Sequence, residues 1–394
     1  MTPPALWIAP PAFLSDPALQ AVLAALPDAR LVGGCVRDAI AGRDVADVDL
    51  ATTSPPDIVA RALLNSGLRA VPTGLDHGTI TAVSGGRGFE VTTLRRDEVT
   101  DGRHAQVAWT ADWREDAARR DFTMNAMSMQ RDGAVFDYFG GLADLREGRV
   151  RFVGDAAARI AEDYLRILRF FRFQARYGHG DPDPAALAAL RDGVPGLARL
   201  SPERVWSELK RILSTPDPRA TVQLMDATGV LPAVLPSLLA LDRLDMLVQA
   251  GGPADPLLRL AALVPGAGSS LASRLRMSVA ERDRLIALSG PLPDPGMDDD
   301  TLRRLLADAP PGAMPGRAWL AGDAGPVWAE LRGRLAVLPR PTFPLEGRDA
   351  LALGVPPGPA VGDLLRGVRD WWMAGGCLAS AAACRAELAR RLAG

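Results

Sequence analysis

Between Leu31 and Thr53 the chain reads LVGGCVRDAIAGRDVADVDLATT, a glycine pair followed by two aspartates, Asp47 and Asp49, in an otherwise apolar run. The ARLV ahead of the glycines has strand character and the CVRDAIA after them has helical character. The pair therefore predicts a strand-to-helix turn whose free backbone amides, with Arg37 close by, suit a phosphate. Residues two apart on a strand point to one face, so Asp47 and Asp49 are expected side by side. Such carboxylates repel each other unless a cation lies between them. The pattern predicts magnesium at Asp47 and Asp49 and a nucleotide phosphate at Gly33, Gly34 and Arg37. Taken singly, a glycine pair is compatible with an ordinary turn, and an Asp-x-Asp with two solvated acids at a strand end.

Around this segment the pattern is mixed helix and strand. Asp16 before Pro17 is a helix start, with the helix running to about Leu26. Ser54 with Asp57 predicts a second capped helix that ends near Gly67. GTITAVSGGRGFEVTTLR alternates apolar and polar residues on both sides of SGGRG, which predicts a hairpin with Glu90 on its second strand. The polar stretch from Arg95 to about Gln106 has no periodicity and reads as a mobile loop. From about Asp155 only helical spacing remains. Pro/Gly-rich joints recur at Gly251 to Pro256, Gly290 to Gly296, Pro310 to Gly316 and Pro356 to Pro359.

Composition bounds the function. At 394 residues the chain is long enough for two or three compact units. A net charge of −2 leaves any grip on nucleic acid to local patches, not to overall attraction. Lys210 is the only lysine, so almost all the positive charge is arginine, which suits phosphate and also fits a GC-rich genome. Three cysteines, Cys35, Cys377 and Cys384, have no metal-ligand spacing and point to reduced thiols in a cytoplasm, with no zinc site. The N-terminus lacks the basic region of a leader and no apolar run is long enough to cross a bilayer. A cytoplasmic enzyme with no membrane and no evident protein partner is expected.

Further segments follow in order: FEVTTLRRD at Phe89 to Asp97, EDAARRDFTMNAMS at Glu115 to Ser128, AEDYLRILRFFRF at Ala161 to Phe173, and SPERVWSELKRIL at Ser201 to Leu213. On a helix Asp163, Arg166, Arg169 and Arg172 would form one charged stripe at intervals of three. That stripe could be a solvated salt bridge, but Leu165, Ile167, Leu168, Phe170, Phe171 and Phe173 leave little aqueous face, and charges among so many apolar groups need partners.

Together with the glycine and aspartate segment, these stretches resemble the ordered motifs of the class II tRNA nucleotidyltransferase and poly(A) polymerase family, within the DNA polymerase beta superfamily. GRDALALGVPPGPAVGDLL, from Gly347 to Leu365, is similar to a tail segment of that family. The resemblance implies an α+β fold, with a polymerase-beta-like nucleotidyltransferase head on a mixed sheet, followed by an all-helical neck, body and tail. The implied divisions are a catalytic head over 1–150, a neck carrying a nucleotide-template helix over 151–215, and a tRNA-binding body and tail over 216–394.

The implied reaction is two-metal nucleotidyl transfer from CTP and ATP to a tRNA 3′ end, with Mg2+ as cofactor. By resemblance Glu90 completes the catalytic set with Asp47 and Asp49. Arg120 of the RRD motif contacts the sugar and phosphates. Asp163 and Arg166 form an amino-acid template that hydrogen-bonds the incoming base, with Arg169 and Arg172 on the same helix among the nucleotide-binding residues. Glu203, Arg204 and Glu208 are expected to brace that helix.

Within the family the resemblance favours CCA addition. Where bacterial poly(A) polymerases carry an arginine-rich IGRRF-like signature, this chain has VPTGLDHGTITAV. RRDEVTDGRHAQVAW has the ordinary length of a loop that CC-adding enzymes lack. An A-adding enzyme stays open, as do a CC-adding one and a poly(A) polymerase. A catalytically dead RNA-binding relative would have lost a metal carboxylate, and a small-molecule adenylyltransferase would lack the template motif. His77, His104 and His179 are too scattered for an appended phosphohydrolase.

Overall fold

The structure is a computed structural model that describes residues 3–100, 105–266 and 268–393. The chain divides into two compact units, Met1–Leu209 with Leu224–Val234, and Lys210–Gln223 with Leu235–Gly394.

The first unit opens with the short strand β1 (Leu6–Trp7) and helix α1 (Pro17–Ala25), which Asp16 caps by accepting from the Ala18 amide at 2.9 Å. Strand β2 (Arg30–Val32) runs into Gly33 and helix α2 (Gly34–Ile40), and β3 (Asp49–Thr52) follows. Helix α3 (Pro56–Asn65) starts after Pro55 with no side-chain cap, so the expected Ser54 cap is absent. Proline at the first positions fixes φ and removes an amide that would otherwise need a partner. The Ser54 hydroxyl instead lies 3.5 Å from Asp28, which also accepts from Thr52 and Thr53 at 2.7 and 2.8 Å.

Strand β4 (Arg69–Gly74) leads into the predicted hairpin, β5 (Thr79–Ser84) and β6 (Arg87–Thr93), with Gly85 and Gly86 both at positive φ in the turn. The expected loop from Arg95 to Gln106 is instead largely strand: β7 (Arg95–Thr100) pairs antiparallel with β8 (Ala105–Trp109), while residues 101–104 lie outside the described residues. A two-stranded ribbon needs no buried face to satisfy its backbone, so it leaves no apolar alternation to read. Helix α4 (Trp113–Ala118), strands β9 (Ser128–Met129) and β10 (Ala134–Phe136) and helix α5 (Gly141–Glu147) complete the mixed part.

Eight strands form one sheet in the order β1-β10-β9-β2-β3-β6-β5-β4, with β3 and β6 parallel and the other pairs antiparallel. One face is covered by α1 and α3: Leu19, Val22, Leu23, Val59 and Leu63 pack with Ile80, Ala82, Phe89 and Val91. Strand alternation then turns Glu90, between Phe89 and Val91, to the opposite face.

After β10 the chain is helical, as the spacing predicts. Helices α6 (Ala156–Glu162), α7 (Leu165–Tyr177), α8 (Pro184–Gly193) and α9 (Pro202–Leu213) follow α5. Residues on both sides of position 150 pack together, because Phe122, Phe152, Phe170 and Phe173 form an aromatic cluster with ring centres 4.8–6.4 Å apart. This cluster seats α7 against the segment that follows Arg120.

Among its described residues the second unit's regular elements are all helices. The buried Arg259 donates to the carbonyls of Leu213 and Pro216 at 2.7 and 2.9 Å and to that of Thr215, so it satisfies the open end of α9. The joint read at Pro310 to Gly316 is shorter than expected, since a helix begins at Ala313. Among the described residues no helix is long and apolar enough to cross a membrane. All three cysteines are buried and free.

Candidate active site

Gly33 lies at φ +71°, a conformation that costs a side-chain-bearing residue but not glycine. A Cβ there would stand 3.1 Å from Arg120 Nη1, and one on Gly34 would stand 3.6 Å from Arg37 Nη2. The turn thus places both guanidiniums against the glycine backbone where α2 begins. Cys35, next in the helix, is buried, which pushes its thiol up to about 11 and makes it a packing residue.

Strand β3 starts at Asp49, so Asp47 lies just ahead of it and the two acids do not share a strand as expected. They still interact. Asp49 is the register partner of Glu90 on the parallel strand β6, which puts those two carboxylates on one face of the sheet. Partial burial raises the Asp49 carboxyl above the usual range, Glu90 and then Asp47 raise it further, and Arg120 opposes them.

Among the described residues no group of three or more His, Cys, Asp or Glu side chains forms a ready-made metal cluster. The donor set nevertheless fits an open, all-oxygen site. Carboxylates crowded with one arginine to offset them leave room for ligands from substrate phosphates and water, the coordination magnesium favours.

Arg120 donates to Asp116 at 3.3 Å and Arg119 donates to the same carboxylate at 2.8 Å. Burial raises Asp116, but the two arginines, with hydrogen bonds from Arg119 and the Arg95 amide, bring it below the usual carboxylate range. Asp121 behaves alike. Its burial is outweighed by Arg169, whose Nε donates at 2.7 Å, and by Asn125 and the Phe122 amide, at 3.0 and 2.9 Å.

The predicted stripe on one helix breaks at its first member. Asp163 caps the end of α6 in extended conformation and α7 starts only at Leu165, whose amide donates to Asp163 Oδ1 at 3.0 Å. A carboxylate that satisfies a free amide at a helix start competes with continuing the helix through it. Asp163 and Arg166 form no salt bridge with each other: Arg204 of α9 donates to Asp163 Oδ2 at 2.7 Å, and Arg166 pairs with Glu162 and donates to the Arg159 carbonyl at 2.8 Å. Arg172 pairs with Glu208 at 3.1 Å. Arg204 and Glu208 therefore brace α7 from α9, as expected of them.

A model of the poly(A) polymerase head domain matches residues 29–151, and one described as the probable RNA and SrmB-binding site of polymerase A matches residues 181–241. The mitochondrial CCA tRNA nucleotidyltransferase 1 of Mus musculus is 36% identical over 369 residues, covering 88% of this chain and 83% of the relative. The chain belongs to the tRNA nucleotidyltransferase and poly(A) polymerase family.

A CCA-adding enzyme of Lacticaseibacillus paracasei is 39% identical over 209 residues, 52% of this chain and 51% of the relative. The crystal structure of the Bacillus stearothermophilus CCA-adding enzyme in complex with CTP superposes with a TM-score of 0.73 at 26% identity, covering 96% of this chain and 98% of that one.

Sequence reading missed Asp38, Asp116, Asp121 and Asn125, the side chains that hold the site's arginines. Spacing carried a partial signal, since Asp116 and Arg120, like Asp121 and Asn125, stand four apart. The long-range pairs, Arg37 with Asn125 and Arg169 with Asp121, had none.

Proposed function

We propose that this chain is a CCA-adding enzyme that extends tRNA 3′ ends with C, C and A from CTP and ATP. The observation that carries the reading is the meeting of Asp49, Glu90 and Arg120 at the glycine turn, in a chain 36% identical to a CCA tRNA nucleotidyltransferase along 88% of its length. The β7–β8 segment, of the length expected in enzymes that add the terminal A, favours full CCA addition over CC addition.

The turn amides at Gly33 and Gly34, with Arg37 and Arg120, hold the triphosphate, and Arg169 and Arg172 line the helix beside it. Asp47 and Asp49 are the metal ligands and Glu90 completes the catalytic carboxylates. Magnesium held by these carboxylates would supply the positive charge that activates an attacking 3′-hydroxyl and offsets charge on the phosphates. Asp163 offers an acceptor and Arg166 a donor, the pattern that pairs with the Watson–Crick edges of cytosine and adenine, whereas uracil and guanine present the wrong groups. Asp163 is engaged with Arg204 and Arg166 with Glu162, so reading a base entails exchanging those partners. Residues 1–150 act as catalytic head, 151–215 as template neck and 216–394 as tRNA-binding body and tail, in the cytoplasm.

The test incubates the purified chain with magnesium, CTP, ATP and transcripts ending before CCA, after C or after CC, and sequences the 3′ ends. Completion of all three supports the reading. Extension of the CC transcript alone makes it an A-adding enzyme, long A tails make it a poly(A) polymerase, and no extension leaves an RNA-binding relative.

A further inference from the structure

Arg37 is held from several directions. Its Nε and Nη2 donate to the two oxygens of Asp38 at 3.0 and 2.9 Å, and its Nη1 donates to Asn125 Oδ1 at 2.6 Å. The guanidinium carbon lies 4.5 Å from the ring centre of Tyr177 and 5.1 Å from that of Phe173, a cation stacked on aromatic faces. The Tyr177 hydroxyl donates to Asp38 Oδ1, the oxygen that also receives Arg37 Nε. Asn125 in turn donates to Asp121, which accepts from Arg169.

Arg169 and Tyr177 both belong to α7, so these contacts close a ring. It runs from the template helix through Asp121 and Asn125 to Arg37 on α2, and returns through Asp38 to the last residue of the template helix. An arginine side chain has much rotamer freedom to lose, and a guanidinium fixed beforehand by a carboxylate fork, an amide and two rings has already lost it. A bare Asp38 beside a phosphate pocket would repel the ligand. Arg37 and the Tyr177 hydroxyl satisfy both of its oxygens.

We propose that Asp38, Asn125 and Tyr177 are positioning residues that fix the Arg37 guanidinium beside the glycine turn and so join the grip on the triphosphate to the seating of the template helix. The inference rests on the reading of Arg37 as a triphosphate ligand. Tyr177 is the member best suited to a clean test. Its end of α7 is also tethered by Arg43, which donates to the Arg176 carbonyl at 2.9 Å, and by the burial of Phe171 and Phe173, so removing the hydroxyl leaves the helix docked.

The experiment compares Tyr177→Phe with wild type in the full chain, measuring KM for CTP and ATP, kcat, inhibition by inorganic pyrophosphate, tRNA affinity, the CTP-over-UTP ratio and the melting temperature. Loss of a hydrogen bond to a charged group should raise KM for both nucleotides by about tenfold and weaken pyrophosphate inhibition by a similar factor. kcat, tRNA affinity and base choice should change little, and Asp38→Asn should show the same pattern more strongly. Unchanged KM and pyrophosphate inhibition in Tyr177→Phe would overturn the proposal, and so would a fall in base choice with pyrophosphate inhibition intact. If Tyr177→Phe melts early, Asn125→Ser is read by the same split, and parallel loss of every parameter in both variants would make the ring merely structural. A wild type that incorporates neither nucleotide would overturn the functional reading itself.

Discussion

Asp49 and Glu90 face each other as register partners on neighbouring parallel strands, although α3, β4 and β5 lie between them in the chain. Parallel pairing requires such a crossover, and this one delivers the second arm of a hairpin beside the strand that leaves the glycine turn. Burial raises the Asp49 carboxyl above its ordinary value, and the Glu90 charge beside it raises it further.

Replacing Asp47 or Asp49 by Asn is therefore expected to abolish incorporation of both CMP and AMP. Metal-held charge is worth several kcal/mol to the transition state. Filter binding should show tRNA affinity close to wild type. Substantial turnover by either variant, free of wild-type contamination, would remove that residue from the metal site.

Base choice should depend on Asp163 and Arg166. Losing either is expected to relax the preference for CTP over UTP by about 5- to 150-fold, the equivalent of about 1–3 kcal/mol. Arg204→Ala, which frees Asp163 from its partner, should change the same ratio with almost no loss of stability, since an exposed ion pair is worth under about 1 kcal/mol. Competition between nucleotides in single-addition assays measures the ratio. Equal slowing of every nucleotide by Asp163→Ala would rule out the template role.

Asp121 makes a prediction about acid stability. Its folded-state carboxyl sits below the ordinary carboxylate value because Arg169, with hydrogen bonds from Asn125 and the Phe122 amide, outweighs its burial. A depressed folded value contributes stability that is present above the unfolded value of about 4 and is lost as pH falls through the folded one. Asp121→Asn is expected to cost about 3 kcal/mol at neutral pH, because it leaves Arg169 without its carboxylate. Its melting temperature should also fall less steeply than wild type below about pH 4. Parallel melting curves across that range would show that the pair carries no such linkage.

The β7–β8 hairpin is anchored at its base. A Cβ on Gly78 would stand 2.5 Å from the Trp109 ring, and the Arg95 amide donates to Asp116, which also holds Arg120. Replacing the span from Asp97 to Val107 by a short glycine turn, with Arg95 and Trp109 kept, should leave CC addition largely intact and suppress the terminal A. Extension of transcripts ending before CCA and after CC separates the steps. Equal loss of both would make the hairpin part of the basic catalytic fold, and normal A addition would show that the switch lies elsewhere.

The local chain alone determined the elements whose signal is local. The glycine turn between β2 and α2, the β5–β6 hairpin with Glu90 on its second strand, the Asp16 cap and the all-helical half after β10 rest on backbone conformation, period and capping, all of which act within a few residues. Tertiary structure decided the partners. Asp163 left the helix because its carboxylate serves the Leu165 amide and Arg204, and Arg37 acquired Asn125 and Tyr177, from 88 and 139 positions' worth of chain away in the case of Asn125 and of Tyr177's bond to Asp38. The β7–β8 ribbon left no periodic signal because backbone pairing of two strands needs no apolar alternation. Residue spacing records what must be buried, and it leaves unrecorded which distant carboxylate a buried guanidinium will find.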